Sequence, residues 1–174
     1  MNAIDIEIKQ ATITNLDDLI QIAKQTFWET FAPFNDPNEM HNYLKESFSK
    51  EKLKNEIINE NSEFYVAEVN SKIIGYLKIN FNSSQTELKE DIGMEIERIY
   101  VLKEFHKKKI GYKLFEKALE RAKNKSLHYI WLGVWEKNLT AIDFYKKIGF
   151  VEFSKHIFKL GNEEQTDIMM KLTI

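Results

Sequence analysis

Residues 106–119 read HKKKIGYKLFEKAL: a basic stretch and a glycine, then apolar residues at helical spacing. That order puts positive charge and a small residue at the entrance to a helix. A helix N-terminus offers free N–H groups and a partial positive charge, which suit a pyrophosphate. Gly111 would let such a ligand approach the backbone closely, and Lys107, Lys108 and Lys109 would add charge. Three lysines before a helix are also an ordinary solvated surface, and the segment alone does not choose between the two readings. A second chemical feature lies upstream in TFWETFAPFNDPNEM (26–40), where Phe27, Trp28, Phe31 and Phe34 are interspersed with Glu29, Asp36 and Glu39. Aromatic faces beside carboxylates suit a cation; the same residues also read as packing and caps for two helices. No metal is expected, because His41, His106, His128 and His156 lack metal-ligand spacing and H-E-x-x-H is absent. Phosphate-loop and nucleophile-elbow motifs, G-x-x-x-x-G-K-[ST] and G-x-S-x-G, are absent too.

These residues need elements to position them. Alternation of apolar and charged residues from Ile4 to Ile13 predicts a strand, and Leu16, Leu19, Ile20, Ala23 and Phe27 then form one helical stripe behind an Asn15 cap. Asp36 with Pro37 and Glu39 opens a second helix, and Ser49 a third. EFYVAEV and KIIGYLKINF, joined across Asn70 and Ser71, read as a hairpin. The polar segment 82–91 is expected to be a mobile loop, and GMEIERIYVL the strand after it. In the helix that follows, Ile110, Leu114, Phe115, Ala118, Leu119 and Ala122 make the apolar face. LHYIWLGV is a buried strand, and a strand–helix–strand run implies parallel pairing with a right-handed crossover. Asn138 caps a helix that Gly149 stops, and strands at 150–158 and 166–174 close the chain across 160–165. The order of elements gives a mixed α/β sheet with a parallel pair in its middle. In such a sheet ligands bind at the carboxyl ends of the strands, which is where the basic helix entrance falls.

The chain has 174 residues, 43% hydrophobic and 30% charged, as expected of one globular domain over 1–174. A net charge of −2 supplies no overall field for nucleic acid or an anionic membrane, so neither is an expected partner. The absence of cysteine fits a reducing compartment. MNAIDIEIKQ is not a secretory signal and no apolar run spans a bilayer, so a cytoplasmic location is expected.

ERIYVLKEFHKKKIGYKL (97–114) and WEKNLTAIDFYKKIGF (135–150) together resemble the GCN5-related N-acetyltransferase superfamily, and the order of elements is similar over nearly the whole chain. The resemblance implies a mostly antiparallel sheet of about seven strands, with strands four and five parallel and helices on both faces. It implies acetyl-CoA as co-substrate. The family's pyrophosphate loop, Gln/Arg-x-x-Gly-x-Gly/Ala, falls on His106, Lys107, Lys108, Lys109, Ile110 and Gly111, with Tyr112 next. His106 and Lys109 depart from the pattern. If Lys109 must take a positive φ, that costs roughly 1 kcal/mol.

By the same resemblance the backbone of Ile99, Tyr100 and Val101 receives the acetyl carbonyl, Asn138 contacts the pantetheine arm and Tyr145 protonates the leaving thiolate. Glu97 takes the proton of the amine, with Glu95 on the same strand face as its competitor. Segment 26–40 is similar to that of PaiA-type spermidine/spermine acetyltransferases, which implies a polyamine acceptor with Trp28 and Glu29 as binding residues. A small-molecule amine is thus the expected partner, and a homodimer is compatible with it. The alternatives are a protein N-terminal or lysine acetyltransferase and a non-catalytic CoA-binding sensor.

Overall fold

The computed structural model describes residues 5–174, so Ile4 of the expected first strand lies outside it. The strands are β1 (Glu7–Gln10), β2 (Ser62–Val69), β3 (Lys72–Phe81), β4 (Gly93–Val101), β5 (Tyr129–Trp135), β6 (Val151–Leu160) and β7 (Glu163–Thr173). The helices are α1 (Leu16–Phe31), α2 (Pro37–Ser47), α3 (Lys50–Ile57), α4 (Ile110–Asn124) and α5 (Leu139–Lys147). The strands form one sheet in the order β1-β2-β3-β4-β5-β7-β6. Among the described residues only β4 and β5, linked through α4, pair in parallel. This is the mixed architecture that the pattern of elements predicts.

Helices cover both faces. Glu63 of β2 reaches Arg121 of α4 at 2.8 Å. Its neighbour Phe64 faces Lys78, which pairs with Glu56 of α3. Successive strand residues point to opposite faces, so α4 and α3 lie on opposite sides. The apolar stripe of α4 packs as expected, with Leu114, Ala118 and Ala122 fully buried. The two small alanines let the helix settle closely on the sheet. No helix among the described residues is long and apolar enough to cross a membrane.

The hairpin turn at Asn70 and Ser71 has φ of 49° and 63°, the two-residue geometry that matches strand twist. Asp36 caps α2 through the N–H groups of Asn38 and Glu39, and Ser49 caps α3.

Three local expectations change. The first ladder ends at Gln10, because Thr12 starts a 3-10 turn; the Asn15 side chain accepts from Thr12 N–H there instead of capping α1. Segment 82–91 is pinned rather than loose. Buried Gln85 accepts from the Trp131 indole at 2.7 Å, and Thr86 donates to Glu95 through its N–H (2.9 Å) and its hydroxyl (2.6 Å). The last two strands continue to Leu160 and from Glu163, leaving Gly161 and Asn162 as the whole turn.

Candidate active site

The sheet opens at its centre. β4 pairs with β5 only from Gly93 to Glu95, opposite Tyr129 to Trp131. Beyond that the strands diverge, and a cleft of about 1230 Å³ fills the gap. On its other edge β4 keeps its ladder to β3 through a bulge, with Lys78 opposite Arg98, Ile79 opposite Ile96, and Glu97 the extra residue. Leu102 N–H donates to Ile74 at 2.9 Å. N–H directions alternate along a strand, so those of Tyr100 and Arg98 also face β3, and those of Ile99 and Val101 face the cleft. The Val101 carbonyl on that open edge accepts from His106 Nε2 at 2.8 Å.

That bond turns the chain into α4. Lys107 and Lys109 both sit at φ 62°, a left-handed conformation that costs about 1 kcal/mol for a residue with a Cβ. No side chain among the described residues caps α4. A left-handed residue followed by helical ones gathers consecutive N–H groups into an anion-binding hollow, here at the end that carries the positive partial charge. A Cβ added at Gly111 would meet nothing closer than Phe144 Cζ at 4.0 Å. The glycine therefore leaves open space at the helix entrance. Lys107, Lys109 and Tyr112 border the cleft; Lys108 lies outside it, its ammonium 4.8 Å from the Phe105 ring.

On the facing wall, Asn138 caps α5 by accepting from Ala141 N–H at 3.2 Å, and its amide NH₂ has no partner among the described residues. Tyr145 of α5 packs against Phe144 and Phe150, and its hydroxyl carries no hydrogen bond among the described residues. Burial pushes that hydroxyl above the ordinary phenol range, so it is protonated at neutral pH.

The α1 face of the cleft is built from side chains. Phe27, Phe31, Tyr43, Phe48, Trp135 and Phe158 form its apolar walls. Glu97 accepts from Asn80 at 2.6 Å and pairs with Lys78 and Arg98; Arg98 also grips Glu56 with both terminal nitrogens. Burial alone would raise the Glu97 carboxyl, but Arg98 and Lys78 hold it down to about 2. Glu95 accepts from Thr86 and Asn80, has no cation beside it, and is raised above the usual carboxylate range, first by burial and also by the charge of Glu97.

A model of the acetyltransferase (GNAT) family matches residues 19–150. An uncharacterized N-acetyltransferase of Lactobacillus delbrueckii subsp. lactis is 39% identical over 166 residues, 95% of this chain and 96% of its own length. The chain belongs to the GNAT acetyltransferase family. It is also 31% identical over 149 residues to a spermidine N(1)-acetyltransferase of Thermoplasma acidophilum, across 83% of this chain and 88% of that one. The crystal structure of a PaiA N-acetyltransferase from the same organism, in complex with coenzyme A, superimposes with a TM-score of 0.82 at 27% identity. The overlap covers 98% of this chain and 99% of the other. The protein is thus an N-acetyltransferase of GNAT type, with acetyl-CoA as its co-substrate.

The residues present fit that co-substrate. An uncapped helix entrance with room at Gly111, two strand N–H groups turned into the cleft, a free amide on Asn138 and an unpaired phenol on Tyr145 all border one space. Of the residues expected from the sequence, Ile99, Tyr100, Val101, His106, Lys107, Lys109, Ile110, Gly111, Tyr112, Asn138, Tyr145 and Glu97 line the GNAT cleft.

Three assignments need correction. Lys108 is exposed and does not line the cleft, though its ammonium lies over the ring of Phe105, which does. Trp28 is not in the cleft: Phe27 and Phe31, four residues apart, face inward, and Trp28 is rotated by one helical step onto His41 at 4.9 Å. Glu29 lines the cleft but its carboxylate is engaged, accepting from Lys103 N–H at 2.8 Å and from Gln25 at 3.1 Å, so it ties α1 to the β4–α4 connection. The residues not foreseen are Tyr43, Glu87, Trp135, His156, Phe158 and Asp167, which the fold brings in from α2, the 82–91 segment, β5, β6 and β7. No spacing in the sequence links them.

Proposed function

We propose that the acceptor is a small cationic amine, a polyamine such as spermidine before others, and that the whole chain acts as one catalytic domain in the cytoplasm. The observation that carries this reading is the α1 face of the cleft, which is lined both by aromatic rings and by the carboxylates Glu95, Asp167 and Glu87. Aromatic faces attract ammonium groups and alkyl chains alike, and carboxylates supply the counter-charge. The likeness to a spermidine N(1)-acetyltransferase supports the same reading.

Acetyl-CoA supplies an activated acetyl thioester. The N–H groups of Ile99 and Val101 are preorganised donors for a carbonyl oxygen on which charge develops, and such donors contribute a few kcal/mol each. Tyr145, protonated and unpaired, donates to a departing thiolate. The ammonium of the acceptor must lose a proton before it attacks, and a base works best with a pKa not far below that of the solution. Glu97, held near 2 and clamped by two cations, is a poor base. Glu95, with its raised pKa, is the better one, acting directly or through water. This reverses the order expected from the resemblance; Glu97 keeps the role of holding Lys78 and Arg98 in place while its charge raises Glu95.

The test is CoA release, followed as free thiol, with spermidine, spermine, diamines, simple monoamines, an N-terminal peptide and a lysine peptide. Polyamines should give the highest kcat/KM. A peptide as best acceptor would replace this reading with a protein acetyltransferase, and tight acetyl-CoA binding without turnover would replace it with a sensor.

A further inference from the structure

We infer that Asp167 anchors a second, distal ammonium group of the acceptor, so that the enzyme selects molecules carrying two cations along one chain. The inference rests on the small-amine reading above and deepens it.

Of the five carboxylates that line the cleft, Glu87 is the most open to solvent at 44% side-chain exposure, and three others already have partners. Glu29 is engaged by a backbone N–H and Gln25, Glu95 by Thr86 and Asn80, and Glu97 by Lys78, Arg98 and Asn80. Asp167 is different. Its side chain is only 17% exposed, yet among the described residues it accepts no hydrogen bond. The nearest group able to carry positive charge is His156 Nε2 at 3.9 Å, too far for a hydrogen bond. A mostly buried carboxylate left unpaired is costly, and the cost is removed when a cation arrives. In keeping with this, burial pushes its carboxyl up to about 6, with His156 working in the opposite direction.

The surroundings suit an alkylammonium. Asp167 faces the cleft beside Gly133 of β5, where an added Cβ would stand 3.5 Å from Oδ2 and 3.2 Å from His156 Cε1. The glycine makes the room in which the His156 and Asp167 side chains sit against β5. Tyr43, near enough for the Asp167 charge to act on its phenol, and Phe158, whose ring centroid is 5.9 Å from that of Tyr43, supply aromatic faces. Glu87, 4.0 Å from His156 Nε2 on a more exposed path, adds negative charge at the rim.

Position supplies the length selection. Asp167 lies on β7, two strands from the Ile99–Val101 donors on β4, with β5 between them. Two strand spacings are about 10 Å, and divergence of β4 from β5 lengthens that path. A second charge held there belongs to an acceptor with an extended chain between its nitrogens.

The experiment compares kcat/KM for linear diamines and spermidine with that for monoamines of equal chain length, in the parent and in Asp167→Asn. The parent should prefer the dications, and Asp167→Asn should collapse the diamine-to-monoamine ratio by about 10-fold or more, mainly through KM. Asp167→Glu, which keeps the charge on a longer arm, should restore part of the preference and move it toward shorter diamines. Acetyl-CoA affinity and Tm of each variant report on the fold. An unchanged ratio in Asp167→Asn overturns the anchor while leaving the small-amine acceptor standing. A parent without preference for dications overturns it even if a variant does not fold. A parent that acetylates no small amine removes the acceptor class itself, and the anchor with it.

Discussion

The two halves of the cleft, one proposed to hold the cofactor and the other the acceptor, are made of different material. The cofactor half is mainly backbone: N–H groups of Ile99 and Val101 on a diverging strand, and the uncapped entrance of α4 with its glycine. The acceptor half is mainly side chain: six aromatic rings, and carboxylates drawn from three separate parts of the chain. Backbone donors are set by where strands and helices end, so they tolerate substitutions such as Lys109 for glycine, provided the turn is still made. Lys109 does make it, at φ 62°. A side-chain site has no such tolerance, since its charge states depend on which neighbours surround each carboxylate. Glu95 and Glu97, two residues apart on one strand, illustrate this: one has no cation beside it and is raised, the other has two and is held near 2.

The contrast can be tested most severely at Tyr145, the side chain proposed to protonate the departing thiolate. Tyr145→Phe removes only the hydroxyl; kcat for CoA release should fall by about 100-fold or more with acetyl-CoA affinity retained. Equal turnover would make Tyr145 a packing residue. Next, Glu95→Gln should lower kcat/KM by on the order of 10- to 100-fold and Glu97→Gln by less, provided the latter still folds. The pH profile sharpens this. Since the Glu95 pKa is raised, its basic form is lost as pH falls through that value, so the parent rate should show an acidic limb that Glu95→Gln abolishes. A limb that survives in Glu95→Gln and vanishes in Glu97→Gln would return the base to Glu97.

Gly111→Val tests the backbone half directly. The open space at the helix entrance would be filled without touching the core, so Tm should hold while the Kd for acetyl-CoA rises by about 10-fold, as read by calorimetry. Unchanged affinity would remove α4 from the site. The smallest effect is expected at Lys109→Gly. Relief of the left-handed strain should outweigh the added flexibility of the unfolded chain and raise Tm by a few degrees, the scale of about 1 kcal/mol in a chain of this size.

Much of the scaffold is written locally. Asp36 and Ser49 announce α2 and α3, Asn70 and Ser71 the hairpin, and the stripe from Ile110 to Ala122 the helix that carries the basic entrance. Caps, turns and periodicity are short-range physics, so the residues that decide them lie within a few positions of one another. That the residues proposed for the cofactor share one cleft was legible for the same reason, because strand, turn and helix entrance are consecutive in sequence. Trp28 differs from expectation because a helix separates adjacent residues by a large rotation, so Phe27 faces the cleft while Trp28 lies over His41; Glu29 does line the cleft, but its carboxylate already accepts from Lys103 N–H and Gln25.

The amino-acid sequence by itself determined the order of elements, the parallel pair at the centre of the sheet and the position of the basic, glycine-bearing entrance to α4. Only the tertiary structure decided which carboxylates are free. Asp167 stands beside Gly133 and His156 because β7 inserts between β5 and β6, and Glu97 is neutralised because β3 and β4 place Lys78 and Arg98 around it. Burial and the distance between charges set a carboxylate's affinity for a proton or an amine, and both are properties of the assembled sheet rather than of any stretch of chain.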